Sequence, residues 1–519
     1  MVDCQASLVQ HWATSRPYRH THFPWSCLVA SDTSQAAVAA PPLIEVRSID
    51  WVPDEERHGR LWHQAPLWFL GNFQYFTIPI GFIGPGLGLS LGWTAVAGIL
   101  GIIIGTLFMA FHASQGPTLG LPQMIQSRAQ FGYRGVIIPL FATLFTYLAF
   151  NVADQVLLGD GLNSAFGLNA NLVAVIAALA AALLAIFGHD WVHKAFRALL
   201  YVSLPLMAIL TIGVITGHGG GAPSSHHYGF NTVGFMAELA AAAAYNITYA
   251  PYVSDYSRYL PASTKPRAVI ASVFFGASGS AVWLIVLGAW LAIRLGATDG
   301  LAGLVTAGNN VIPHLGQVVA LLSTLALVAT MGMNAYGGML TILTGVDSIR
   351  PIKPRRTARV VTIIVLTVVW FVIGKSITAG AVDTVFSALT LMLYLLVPWT
   401  ASNLMDFFVV RRGHYAITEL FRPRGLYGSW GWRGLTSYAI GILVEIPFMV
   451  LPQLGHWSYT GPLAKALGGV DIAWLAGLVV TGIAYWLFSR SIDVTAEHNA
   501  EVASDRALDD ALHAGEATA

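Results

Sequence analysis

Apolar runs bounded by charged or turn residues recur twelve times along the chain. Six lie in the first half, at 67–89, 93–111, 136–158, 170–187, 198–216 and 233–252. The other six follow at 269–293, 315–343, 360–373, 382–408, 435–451 and 472–487. Most match the roughly 20 residues that an α-helix needs to cross the hydrocarbon of a bilayer, the ninth and eleventh being shorter. The pattern therefore predicts an all-α membrane protein of twelve transmembrane helices.

Composition agrees. Only 10% of the 519 residues are charged, where soluble domains average roughly 25%, and 55% are hydrophobic. An ordinary soluble globule is excluded. With 27 basic and 26 acidic residues the net charge is +1 and no basic face forms, so nucleic acid is not an expected partner. The two cysteines, Cys4 and Cys27, make no disulfide framework. Basic residues are distributed unevenly: connections 2/3, 4/5, 6/7, 8/9 and 10/11 hold 17 Lys and Arg, and the opposite loops hold only Arg294, Lys375 and Lys465. By the positive-inside rule both termini are expected in the cytoplasm and the protein in the cytoplasmic membrane. Residues 1–60 then form a largely disordered cytoplasmic tail, 61–490 the helical domain, and 491–519 a cytoplasmic C-terminal tail that is a loose helix or unstructured.

Certain spans break the rules of lipid burial. Pro79, Gly81, Gly84, Pro85 and Gly86 interrupt the first, and Asn246, Thr248 and Pro251 interrupt the sixth. Interrupted helices at matching places in two successive sets of five point to an inverted-repeat transporter with a midplane site; two ordinary proline kinks are the simpler reading. Intramembrane carboxylates occur at Asp154, Glu238 and Glu445. Each is a functional candidate by its cost in hydrocarbon, although Glu445 sits in a peripheral helix and reads as structural. Asn334 lies in a small-residue stretch of the eighth span and takes either another helix or a ligand amide as partner. Asp255 and Arg258, three apart at the end of the sixth span, read as an intrahelical pair with a gating or structural role. The 16 histidines show no metal-ligand spacing, and no catalytic motif or nucleotide-binding lysine loop is present, so neither an enzyme nor an ATP-driven pump is expected.

Three strings carry more specific information: "SDYSRYLP" at 254–261, "PWTASNLMDFF" at 398–408 and "GLPQMIQSRAQFGYRG" at 120–135. Together they resemble the nucleobase:cation symporter-1 family, the permeases for cytosine and purines, uracil, thiamine and allantoin. The resemblance implies a LeuT-like core of two five-helix inverted repeats with broken helices 1 and 6, plus two C-terminal helices. It implies a secondary importer of a nucleobase or related cyclic ureide, working as a monomer by alternating access, without a cofactor and coupled to H+ or Na+. Family substrates lie between aromatic rings with an Asn or Gln reading the amide edge. Carried onto this chain, the substrate positions are Asn72, Gln74, Phe150, Asn151, Tyr245, Asn246, Tyr249 and Asn334. Sodium-coupled members set carbonyls of span one against two adjacent hydroxyls of span eight. Here those positions are Ala329 and Thr330, so one hydroxyl is missing, and a proton carried by Asp154 or Glu238 is an equal alternative. Pro79, Gly84, Pro85 and Pro251 belong to the helix breaks. A transceptor or channel-like protein on the same scaffold, or a carrier of another small amide or amino acid, is the competing reading.

Overall fold

Each apolar run folds as helix because lipid leaves the backbone no partner but itself. The computed structural model describes residues 45, 47–221, 227–352, 355–377, 381–454 and 457–516. The first run forms three pieces, α1 (Gln64–Asn72), α2 (Thr77–Ile80) and α3 (Ile83–Gly86). Continuous helices follow: α4 (Leu91–Ala113), α5 (Ile137–Phe166), α6 (Ala170–Phe187) and α7 (His189–Ile215). The sixth run splits into α8 (Thr232–Ile247) and α9 (Ala250–Ser257). Then come α10 (Pro266–Leu295), a short α11 (Gly300–Val311), the long α12 (Leu315–Ile349), α13 (Arg356–Ser376) and α14 (Ala381–Met405). The chain closes with α15 (Trp432–Glu445), an antiparallel hairpin of β1 (Val450–Leu454) and β2 (Trp457–Thr460), α16 (Ala473–Ser489) and α17 (Val494–Glu516).

Among the described residues eight helices are long and apolar enough to cross a membrane, or up to nine if the bent pair α16–α17 is one span. The first and sixth runs fall outside that count because they are broken, and the eleventh and twelfth because α15 and α16 have 14 and 17 residues. Outward faces are apolar, with Phe141, Ile176 and Ile212 exposed, as lipid contact requires.

The first break is not where prolines would put it. Pro79 and Pro85 sit in the opening turns of α2 and α3, where a missing N–H costs little; the chain leaves the helix earlier, over Phe73–Phe76. Glycine brings this broken segment onto α10. A Cβ on Gly81 would lie 2.1 Å from the Ile285 carbonyl oxygen, and one on Gly288 2.1 Å from that of Ile78, so the two backbones touch.

Part of each tail packs on the helical domain. Within residues 47–60 Ile49 and Val52 are buried, and buried Arg57 donates to the carbonyls of Val52 (2.9 Å) and Pro117 (2.7 Å); residues 1–44 lie outside the described ones. At the other end α17 is anchored, with Arg411 paired to Glu497 (2.8 Å) and the Thr418 amide bonded to Ser504 Oγ (3.0 Å).

Candidate functional site

The two helix breaks face each other and are stitched by side chains. Asn72, the last residue of α1, donates through Nδ2 to Asn246 Oδ1 (2.8 Å) and to the Ala277 carbonyl (3.0 Å). Gln74, inside the break, donates to the Tyr245 hydroxyl (2.9 Å) and accepts from the Phe76 amide (2.6 Å). Thr77 Oγ1 donates to the Asn72 carbonyl (2.6 Å) and lies 2.8 Å from the Tyr245 hydroxyl. From the other side, Tyr249 donates to the Gly71 carbonyl (3.2 Å), and Asn246 donates to Thr106 Oγ1 on α4 (2.6 Å). Backbone freed by the first break is thus met by Gln74 and Thr77 of the same segment and by Tyr249 of the other, as a low-dielectric interior demands.

Beside the breaks runs one stripe of α5. Tyr147, Phe150, Asn151 and Asp154 follow helical spacing and face inward, all buried. Asn334 of α12 donates to Asn151 Oδ1 (2.8 Å) and, more distantly, to Asp154 Oδ2 (3.4 Å), while Asn151 donates to the Met331 carbonyl (3.2 Å). Asn334 Oδ1 and Asp154 Oδ1 are buried without a protein partner. Aromatic rings close the same region in two near-parallel pairs: Phe76 with Tyr245 (centroids 5.8 Å apart, 11°) and Phe150 with Tyr249 (6.0 Å, 13°). All eight residues expected to contact substrate are 3% exposed or less. The structure brings them into two clusters: Asn72, Gln74, Tyr245 and Asn246 knit the breaks, and Asn334 bonds to Asn151, whose chain neighbour Phe150 stacks on Tyr249. Phe76 joins both clusters and escaped the sequence reading, since nothing but its place in the break marks it among 25 phenylalanines.

The other singled-out residues divide. Thr330 donates to the Ala326 carbonyl of its own helix (3.1 Å). Glu238 accepts from the Gly84 amide (2.9 Å), tying α8 to α3. Pro251 sits in the first turn of α9. The Asp255–Arg258 pair does not form. Asp255 accepts the Gln123 amide (3.0 Å), and Arg258 turns to Glu45 (3.4 Å) and the Tyr336 hydroxyl (3.2 Å). Spacing favours the local pair, but a buried guanidinium takes the carboxylate that also satisfies its neighbours. Glu45 is that carboxylate: it also accepts from Arg359 (2.9 Å), the His189 amide (3.1 Å), Tyr336 (2.9 Å) and Tyr259. Burial opposes its charge, yet Arg359, Arg258 and His189 prevail and hold the carboxyl down at about 2.

The three signature strings turn out to be scaffold at this same end. Ser254 and Ser257 donate to the carbonyls of His112 and Ala113 (2.9 and 2.7 Å), Trp399 donates to Ser127 Oγ (3.0 Å), and Gln130 donates to Asp406 (2.5 Å).

A family profile described as "permease for cytosine/purines, uracil, thiamine, allantoin" matches residues 51–477. The chain belongs to this permease family. It is a multi-pass membrane transporter and not an enzyme. YxlA of Bacillus subtilis (strain 168), provisionally named a purine-cytosine permease, is 34% identical over 453 residues, covering 86% of this chain and 96% of YxlA. The purine-cytosine permease fcyB of Emericella nidulans is 23% identical, covering 89% and 92%. Among solved structures, the nucleobase-cation-symport-1 family transporter Mhp1, in a closed conformation with bromovinylhydantoin bound, superposes with a TM-score of 0.68 over 88% of this chain and 98% of Mhp1 at 17% identity. Its inward-facing form gives 0.61 at 18% identity over the same shares. The LeuT-like fold that the resemblance implies, with broken first and sixth helices, is the observed one.

Proposed function

We propose that this permease is a proton-coupled importer of a nucleobase, cytosine or a purine, across the cell membrane, with the basic-loop face and both termini in the cytoplasm, and that one chain suffices. The names of both curated relatives support the substrate class. The observation that carries the reading is the Asn334–Asn151–Asp154 chain beside the Phe150–Tyr249 stack. A nucleobase is flat and carries donors and acceptors along one edge. Rings stack on its faces, and the unpartnered oxygens of Asn334 and Asp154 meet its edge. Protonation of Asp154 turns one of these two acceptors into a donor, so an amide edge, N–H beside C=O, is matched only when the proton is present. Substrate and proton then bind with reciprocal coupling. Thr330, whose hydroxyl is engaged in its own helix, and Glu238, which holds α3, are left to fixing structure rather than carrying the ion.

Two variants test this. Asp154→Asn keeps a donor beside an acceptor without a titratable proton; it should bind and exchange nucleobase yet lose uphill accumulation, measured as protonophore-sensitive uptake. Accumulation that survives in Asp154→Asn refutes the assignment. Tyr249→Leu removes one stacking face worth about 0.5–1.5 kcal/mol. The half-saturating concentration, read in a concentration series, should rise roughly two- to twelvefold.

A further inference from the structure

At the basic-loop end, outside the helix breaks, the packed N-terminal segment meets the start of α7 through three metal-ligating side chains. His58, His189 and Asp190 offer ligand atoms that all lie within 4.8 Å of one another. His58 Nε2 and His189 Nδ1 each stand 2.9 Å from the same oxygen, Asp190 Oδ1.

The outer nitrogens decide how this cluster is charged. His58 Nδ1 lies 2.9 Å from the Glu56 carbonyl oxygen, and His189 Nε2 lies 3.2 Å from that of Tyr256. Carbonyl oxygens only accept, so these ring nitrogens are the ones that carry hydrogen, an assignment made from the partners. In neutral rings the inner nitrogens then present lone pairs, and both point at one carboxylate oxygen. Three lone pairs converge unless positive charge lies between them, supplied by two added protons or by one divalent ion. A metal-binding histidine ordinarily donates its far N–H to a backbone carbonyl or carboxylate, which fixes ring and tautomer; both rings here are already held that way.

We propose that His58, His189 and Asp190 form a binding site for a divalent first-row transition ion of the zinc class, one that joins the N-terminal segment to α7. Bonds of about 2.0–2.2 Å in tetrahedral geometry put neighbouring ligand atoms roughly 3.3–3.5 Å apart, and the separations present, 2.9 Å and at most 4.8 Å, straddle that spacing. Two imidazoles and one carboxylate suit zinc, cobalt or nickel better than calcium or magnesium. His58, with 54% of its side chain exposed, provides the entry path. His193 stands one turn along α7, its ring 4.5 Å from that of His189, buried and with Nδ1 unpartnered. The cluster does not show in the sequence because His58 lies 132 residues from Asp190.

Cobalt titration of the full-length, tag-free protein in detergent, followed by its visible absorption and by competition with zinc, tests the site. The expected result is one equivalent bound with tetrahedral ligand-field bands, displaced by zinc. His58→Ala and Asp190→Asn should each weaken binding at least about tenfold while eluting as the same monodisperse species. Absence of saturable one-equivalent binding by the wild type overturns the proposal. So does equal affinity in His58→Ala, which would place the ion elsewhere on the protein.

Discussion

Asn334→Ala should lower nucleobase uptake by about a hundredfold or more while leaving the protein inserted and folded. The amide of Asn334 spans the site from α12, holding Asn151 (2.8 Å) and reaching Asp154 (3.4 Å), and its own Oδ1 waits without a partner. Alanine removes the acceptor offered to substrate and also orphans Asn151 Oδ1. Each buried polar group left unpaired costs about 1–3 kcal/mol, and two such losses multiply to about that factor. The effect belongs on uptake at low substrate concentration, because it removes recognition rather than fold: α12 remains packed on α5 and α6 through its other residues. Uptake of radiolabelled substrate, normalised to membrane-inserted protein, reads it. Wild-type uptake by Asn334→Ala would remove Asn334 from the pocket.

Glu45→Ala should release the N-terminal segment from the basic-loop end. Arg258 and Arg359 have side chains about 0% and 1% exposed, and Glu45 is the carboxylate they share. Taking one partner from a buried ion pair costs about 3–5 kcal/mol because the remaining charge is left in low dielectric. That energy is applied where Glu45 joins the start of α7, the end of α9, α12 and α13. Hydrogen exchange reports the release. The amides of Val52 and Gly59, bonded to the carbonyls of Gly120 (2.9 Å) and Tyr259 (2.8 Å), should exchange roughly a hundredfold faster or more. The half-exposed Arg47–Glu56 pair supplies the control, since Glu56→Gln should change exchange little. The sign of the pH dependence follows from the lowered carboxyl. A group held down at about 2 contributes fully above its ordinary value near 4.5 and loses that contribution only as pH falls toward 2. Between about pH 5 and 8 the difference in exchange of Val52 and Gly59 between wild type and Glu45→Ala should therefore not respond to pH. Unchanged exchange in Glu45→Ala would show that the segment is held by something else.

The sequence made the helices legible because lipid imposes a long, simple signal: a run of apolar residues with the backbone closed on itself. It marked the two broken helices by Pro and Gly, yet misplaced the first interruption. Phe73, Gln74, Tyr75 and Phe76 contain no helix breaker; the helix ends there because Gln74 and Thr77 capture backbone and Tyr245 comes across from the sixth span. On the inward stripe of α5 the resemblance pointed to Phe150 and Asn151, and the cost of a carboxylate in hydrocarbon to Asp154. What stayed hidden were partnerships between residues far apart in the chain, such as Asn72 with Asn246 and Glu45 with Arg359, 174 and 314 residues away. The Asp255–Arg258 pair shows the converse error, a local spacing satisfied on paper and overruled by a distant carboxylate. The signature strings identified the family while lying outside the substrate cluster: they build the joint between α9, α14 and the segment before α5.

The central claim is proton-coupled nucleobase import, and uptake of a radiolabelled panel of cytosine, adenine, hypoxanthine, uracil, allantoin and hydantoin into cells lacking their own permeases tests it most directly. One arm replaces sodium by choline and another adds a protonophore. The account predicts saturable accumulation of cytosine or a purine that persists in choline and collapses with the protonophore. Accumulation that requires sodium and ignores the protonophore would contradict the coupling through Asp154, and failure to accumulate any nucleobase on the panel would contradict the substrate class.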